Sequence, residues 1–337
     1  MMRDVTEPAL LRLFGRIARP LAAIAITGYV LWRAHPQAVL ATIARADVGW
    51  LGFAIGLVLA DRALMAYRSV ALLCTIEPAR RPALRPLMRV FFVSTFVGTF
   101  LPASIGGDAA RAYALSQLRV LPGQAVASVL MDRLLGVVSI LMVGVAGLAA
   151  TGAGDLRSTR AIELSLLVAG GLSLAASLVV FSERAAAVAH ALALRVPFAP
   201  LRRIAGDLTR ATRAYGRHHG ALGLVLAGSV AVQVLRIAQA YCLGRALLIA
   251  APFPVYFGLI PLILLVMLLP VSINGIGPSQ AAFVWFFGRA GVSAADAFAL
   301  SVLFVALGIV GNLPGGLLYA LGPSRLTPRA GPSRSDR

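Results

Sequence analysis

Long apolar runs, separated by short arginine-bearing segments, dominate the chain. Runs at 134–150, 164–181 and 297–321 carry no charge, and the run at 17–32 carries only Arg19. Those at 48–76 and 221–250 hold polar residues inside them: Asp61, Arg62 and Arg68 in one, Gln233, Arg236 and Arg245 in the other. At about 1.5 Å per residue, roughly 20 apolar residues cross a ~30 Å hydrocarbon core, so these six runs read as full transmembrane helices. The first reads as an uncleaved span rather than a secretory leader. Arg33 and His35 follow it, and no good small-x-small cleavage site is seen.

Two further apolar segments are too short to cross. Residues 90–101 precede Pro102, Gly106 and Gly107, and residues 257–269 precede Pro270 and Gly275. Twelve or thirteen helical residues cover only about 18–20 Å. Both segments are therefore expected to form re-entrant hairpins, with a half-helix in, a break near the midplane and a half-helix out. The breaks are alike. FLPASIGG (100–107) and LLPVSING (268–275) share Leu, Pro, Ser, Ile and Gly at an offset of 168 residues, half the chain length. Flanking runs pair at similar offsets, 48–76 with 221–250 and 134–150 with 297–321.

The predicted fold is an all-α integral membrane protein. It has two inverted-topology repeats, with about six full spans and two re-entrant hairpins that can also be counted within seven or eight transmembrane helices. A single membrane domain covers 1–321. Repeat one runs over about 16–152 and repeat two over about 161–321, with an inner-surface linker at 182–220 and a disordered tail at 322–337.

Arginine placement orients the predicted loops. With the N-terminus inside and each hairpin returning to its own side, nineteen of the 31 basic residues fall on the inner face, seven of them in the 182–220 linker. The outer loops hold five: Arg33, Arg45, Arg157, Arg160 and Arg289. This satisfies the positive-inside rule; a full crossing by the first broken segment would place the seven-arginine linker outside. The expected location is the bacterial cytoplasmic (inner) membrane, with both termini cytoplasmic. The linker is Ala-rich and carries Arg195, Arg202, Arg203, Arg210, Arg213 and Arg217. It reads either as an amphipathic helix on anionic lipid or as a solvated connector.

Composition removes whole classes. Hydrophobic residues make up 59% and charged residues 13%, with a mean hydropathy of +0.86. A soluble or disordered chain is excluded. The net charge of +18 resembles that of a nucleic-acid binder, but the arginines lie between membrane runs, so no nucleic-acid partner is expected. No lysine occurs, which removes Schiff-base and P-loop lysine chemistry. Cys74 and Cys242 sit far apart in apolar runs, and His35, His190, His218 and His219 have no clustered acidic or thiol neighbours, so neither disulfide nor metal is expected. GxSxG, HExxH, P-loop and DxD signatures are missing. No catalytic residue, enzyme activity or cofactor is expected.

The broken motifs and the intramembrane charges are the candidate chemistry. Backbone freed at membrane depth must face protein or a water-filled cavity, and a half-helix beginning there aims N–H groups and a positive dipole end at an anion. Asp108 and Pro278 suit the first turns of the two returning helices. Asp108 and Arg111 are spaced to pair along one helix face, and Gln233, Arg236 and Gln239 form a polar stripe. Arginine matches phosphate bidentately. The expected substrate-binding set is Pro102, Ser104, Gly106, Gly107, Asp108, Arg111, Arg236, Pro270, Ser272, Asn274, Gly275, Gly277 and Gln280. Asp61, Arg62, Asp132 and Arg133 are charge-relay or structural candidates. Structural ion pairing and snorkelling are the competing explanation for these charges.

FLPASIGGDAARAYAL (100–115), MDRLLG (131–136), LPVSINGIG (269–277) and GNLPGGLLY (311–319) together resemble the lysylphosphatidylglycerol synthase transmembrane-domain family, the flippase-like membrane proteins. The resemblance extends over roughly 12–321. It implies a lipid-handling inner-membrane protein; in aminoacyl-lipid members a separate soluble domain makes the lipid. This sequence ends sixteen residues after its last apolar run, so lysyltransferase activity is not expected. The family often places Glu after the second glycine-rich break, where this chain has Gln280. That departure weakens the case for an aminoacyl-lipid cargo, because Gln carries neither charge nor titratable proton.

The resulting expectation is a transporter of an anionic or phosphate-bearing lipid through a midplane cavity. Arg111 and Arg236 would hold the phosphate, and Asp108 would position Arg111. The partners expected are membrane lipids. The alternatives are a non-transporting scaffold for a separately encoded lipid synthase or glycosyltransferase, and a membrane-embedded lipid transferase.

Overall fold

A computed structural model describes residues 28–76, 83–100, 105–118, 120–150, 213–216, 218–268 and 275–321, with single positions between 171 and 206. Every regular element among them is helical. In chain order these are α1 (Pro36–Ala44), α2 (Val48–Ile76), α3 (Leu84–Phe100), α4 (Ile105–Gln117), α5 (Pro122–Ala150), α6 (His219–Ala246), α7 (Phe253–Met267), α8 (Pro278–Arg289), α9 (Ala294–Val310) and α10 (Leu313–Ala320).

Four segments are long and apolar enough to cross a membrane: α2, α5, α6 and the near-continuous pair α9–α10. Residues 17–27 and most of 164–181 lie outside the described residues, as do the tail and most of the 182–220 linker. The α2 helix has 29 residues, about 43 Å of length, which exceeds the hydrocarbon core. Pro36, Pro122 and Pro278 stand in the first turns of their helices, where the missing N–H costs nothing. Ser293 caps α9 by accepting the Asp296 N–H at 3.1 Å. Thr42 on α1 donates to the same Asp296 at 3.0 Å and ties the start of α9 to α1.

Several boundaries differ from the apolar runs. The α5 helix starts at Pro122 rather than near Leu134, so Asp132 and Arg133 lie inside it. The charge-free stretch marks only the part without polar neighbours; the helix continues because Asp132 finds two arginine partners. The α3 helix starts at Leu84 and has 17 residues, reaching back into the basic stretch and taking in Arg85 and Arg89. Arg89 donates to the Leu318 carbonyl at 2.8 Å, near the C-terminus of α10, so its charge caps a helix end. At about 26 Å, α3 is longer than the half-helix expected of it.

The short helices pack in matched ways. The α3 helix lies on α4, and α7 lies on α8. The α7 helix packs on α5, and α3 packs on α10. The α2 and α6 helices form the broadest helix pair, joining the first half of the chain to the second. Glycine makes two of these contacts close. A Cβ at Gly147 on α5 would collide with the Phe257 carbonyl of α7, and a Cβ at Gly315 on α10 would collide with the Phe92 carbonyl of α3. These two glycines stand 168 residues apart, the offset of the broken motifs. Small residues at such points let helix backbones approach where lipid supplies no hydrophobic drive.

The largest buried cluster lies between α6, α7, α8 and α9. Tyr256, Phe283 and Phe287 fill it, with Tyr256 edge-on to Phe287 at 5.1 Å. A smaller cluster around Met131 and Leu135 takes in Tyr215, whose hydroxyl donates to the Leu72 carbonyl at 2.9 Å and pins the end of the linker to α2. Burial pushes the Tyr215 phenol well above its ordinary pKa, with the negative charge of Asp132 adding to the shift, so it stays a neutral donor.

Gly147→Val and Gly315→Val should each lower thermal stability in detergent by about 1–3 kcal/mol through overpacking. Gly223→Ala, where an added Cβ meets nothing, should be neutral. Melting curves of the three variants decide this; an unchanged Gly147→Val would refute the close-approach account.

Candidate functional site

A cavity of about 340 Å³ opens between the two halves of the chain, within the range of small-molecule sites (~300–1,000 Å³). Its charged wall comes from four helices. Asp61, Arg62 and Arg68 stand on α2, Asp108 and Arg111 on α4, Asp132 and Arg133 on α5, and Arg236 on α6. Thr95, Gly98 and Thr99 of α3, Leu264 and Met267 of α7, and Phe304 and Gly308 of α9 complete it together with Asn312.

Helical spacing assembles this wall. Residues 61, 65 and 68 repeat at four and three, and 233 and 236 at three, so each set shares one helix face. Asp61 and Arg62 sit at the centre of the 29-residue α2, and Gln233 and Arg236 within a turn of the centre of the 28-residue α6. These charges therefore stand near the bilayer midplane, where an unpaired one costs about 2.5–3.5 kcal/mol on insertion scales.

Two ion-pair networks meet that cost. In the first, Asp61 pairs with Arg236 at 3.2 Å and with Arg62 at 3.4 Å. The Met65 sulfur accepts from both arginines, at 3.4 Å from Arg62 and 3.1 Å from Arg236. Arg62 also donates to the Gly308 carbonyl at 3.4 Å. In the second, Asp132 binds Arg68 at 2.5 Å and Arg111 at 3.3 Å. Asp108 binds Arg111 at 3.3 Å and Arg133 at 2.5 Å. The Phe91 ring lies 5.5 Å from the Arg111 guanidinium, a cation–π contact.

Among the described residues, each network holds one more arginine than aspartate. Together they comprise Arg62, Arg68, Arg111, Arg133 and Arg236 against Asp61, Asp108 and Asp132, a formal excess of two positive charges. The Nε groups of Arg62, Arg68 and Arg111 are buried without an acceptor among the described residues. The wall therefore has spare positive charge and spare donors, which suits an anion.

The expected residues divide into three groups. Gly107, Asp108, Arg111, Arg236 and Gly275 line the cavity, as do the charge-relay candidates Asp61, Arg62, Asp132 and Arg133. Pro102, Ser104, Pro270, Ser272 and Asn274 lie outside the described residues. Gly106, Gly277 and Gln280 are described but stand apart from the cavity wall. Gln280 turns inward on its own helix start: its Oε1 accepts the Gly277 N–H at 2.7 Å and the Ser279 hydroxyl at 3.0 Å. That is half of a capping box at the beginning of α8, and Gly277 fits it with a φ of 96° that few other residues adopt. Arg245 stacks over Trp50 at 6.0 Å.

Sequence reasoning passed over Asn312 and Thr99, which line the cavity, and the Met65 sulfur between two arginines. A signal existed for Asn312, the only side-chain amide in an otherwise apolar run. None existed for Met65, whose role depends on the neighbouring helix.

Asp132→Ala should destabilise the protein by about 3–5 kcal/mol, because it leaves Arg68 buried and unpaired. Arg68→Leu combined with Asp132→Leu should recover most of that loss. Thermal melting of both variants in detergent measures the difference; equal destabilisation by the two would contradict the pairing account.

No curated protein matches the sequence. The family model described as the lysylphosphatidylglycerol synthase TM region matches residues 20–315. That match covers all ten helices except the last five residues of α10, and with them both broken motifs and every cavity charge. The chain belongs to the lysylphosphatidylglycerol synthase transmembrane-region family, a family of membrane proteins with a lipid-related function.

Proposed function

We propose that this protein carries a phosphate-bearing lipid across the bacterial inner membrane, with both termini in the cytoplasm, and performs no covalent chemistry on it. The observation that carries this reading is the excess of arginine over aspartate among the described residues of a cavity near the middle of the membrane helices. A phosphate group neutralises the spare charge and accepts from the free guanidinium N–H groups, while the acyl or prenyl chains stay in lipid. Arg111 and Arg236 are the principal phosphate holders, one from each network. Asp108 positions Arg111 and Asp132 shares it.

The proposed frame is two inverted copies of one unit, each made of a span, a second span, a broken hairpin and a third span. Matched lengths support it: 29 and 28 residues for α2 and α6, 17 and 15 for α3 and α7, 13 and 12 for α4 and α8. Reciprocal packing of α7 on α5 and of α3 on α10 supports it as well. Transport then follows from the halves rocking about the shared cavity.

Purified protein in proteoliposomes should move fluorescent phosphatidylglycerol between leaflets. Arg111→Ala and Arg236→Ala should each slow movement about tenfold or more, the scale of one lost charge-assisted hydrogen bond. No movement by wild-type protein, together with co-purification of a lipid synthase, would replace transport with a scaffold role. Orientation has a separate test. A cysteine replacing Arg203 should resist an impermeant thiol reagent applied from the periplasm; labelling there would overturn the topology.

A further inference from the structure

Two amides in the cavity wall are held by the same kind of relay. Gln233 Nε2 donates to Ser139 Oγ at 3.1 Å, and Ser139 gives its proton to the Gly136 carbonyl at 2.7 Å. Asn312 Nδ2 donates to Thr99 Oγ1 at 2.8 Å, and Thr99 gives its proton to the Thr95 carbonyl at 3.1 Å. A hydroxyl has one proton. With that proton committed to a helix carbonyl, the hydroxyl serves the amide only as an acceptor. In this arrangement each amide turns its NH2 to the hydroxyl and its oxygen away from it.

The consequence is two oxygens with nothing to accept from. Gln233 Oε1 and Asn312 Oδ1 are buried and have no donor among the described residues, and both residues line the cavity at 2% and 7% exposure. A buried acceptor without a donor has lost its water and gained nothing in return. The arginines leave spare donors and the amides leave spare acceptors, and a phosphodiester cannot serve both. It accepts from guanidinium but carries no proton to give.

We infer that Gln233 and Asn312 form a second subsite, which takes hydroxyl groups of the lipid's head-group alcohol. This rests on the phosphate-lipid reading and deepens it. The cargo is a phosphodiester whose alcohol is a polyol such as glycerol, inositol or a sugar. An ammonium would also offer N–H donors, but the surplus positive charge of the cavity repels it. A quaternary ammonium offers no donor at all. Gln233 and Asn312 are thus specificity-determining residues, and the arginines supply the affinity common to all phosphate lipids.

Two short-chain lipids isolate the effect. Dioctanoyl phosphatidylglycerol and dioctanoyl phosphatidylmethanol carry the same single negative charge and differ in the hydroxyls of the head. Binding of each to the full-length protein in detergent, measured by native mass spectrometry, should favour phosphatidylglycerol about tenfold. Gln233→Met and Asn312→Leu should each bring that ratio below about threefold, with the lipid-free melting temperature recorded alongside. Equal affinity of wild-type protein for the two lipids would overturn the hydroxyl subsite and leave the phosphate reading standing. Binding of neither lipid would overturn both. If a variant fails to fold, the wild-type ratio still decides.

Discussion

A charge in the hydrocarbon core must be answered by another charge, and this constraint shapes the centre of the molecule. Three aspartates answer five arginines on α2, α4, α5 and α6. Asp132 alone draws three helices together, since its partners stand on α2 and α4 while it stands on α5. Deep burial would make these pairs poor sources of stability by themselves, because desolvation offsets most of their attraction. Their value is positional. They fix which helix faces meet, and they leave one arginine in each network with positive charge to spare.

The broken helices follow from the same requirement. A continuous helix in place of α3–α4 would carry Asp108 and Arg111 beyond the level of Asp132 and Arg133. The α4 helix lies back on α3, and Gly98 and Gly107 make the approach tight: a Cβ at either would stand 2.9 Å from the other's Cα. Asp108 thereby enters the first turn of α4, where the helix N-terminus also favours its negative charge. On the other side of the cavity Gly275 performs a similar service, with a φ of 78° and the Met267 side chain against it. Glycine at these points is thus a means by which polar groups reach membrane depth with their backbone covered.

Much of this was legible in the sequence, for reasons that differ between elements. The long helices α2 and α6 declare themselves because membrane-facing positions must be apolar throughout. The two breaks show because proline and glycine recur together at a fixed offset after segments too short to cross. Asp61, Asp108, Arg111 and Arg236 stand out because an ionisable group in an apolar run is costly. What stayed hidden depends on the neighbouring helix. The true start of α5 at Pro122 was obscured because Asp132 and Arg133 look like the edge of a span until Arg68, Arg111 and Asp108 answer them. Gln280 looked like a ligand because it follows a glycine-rich break, yet its carbonyl oxygen is consumed by Gly277, three residues back, and by the adjacent Ser279. Asn312 escaped notice because its meaning lies in Thr99, 213 residues earlier.

The partition of these interactions between the two halves bears on how the cavity changes shape. The Asp132 and Asp108 pairs all fall within the first half, on α2, α4 and α5. The polar links between the halves at the cavity are of another kind: Arg236 to Asp61 at 3.2 Å, Arg236 to the Met65 sulfur at 3.1 Å, Arg62 to the Gly308 carbonyl at 3.4 Å, Gln233 to Ser139 at 3.1 Å and Asn312 to Thr99 at 2.8 Å. Only the first of these is an ion pair, and Asp61 keeps Arg62 as a partner when Arg236 leaves. A rocking motion that separated the halves would leave the three-helix cluster around Asp132 intact. It would part Arg236 from Asp61 and open both amide relays. The same groups that read the head group would then sit on the seam that moves, so a bound polyol phosphate bridging Arg111, Arg236 and the amides would hold the halves together. Its departure would remove that bridge, which couples occupancy of the site to the shape of the cavity through the contacts that also select the cargo.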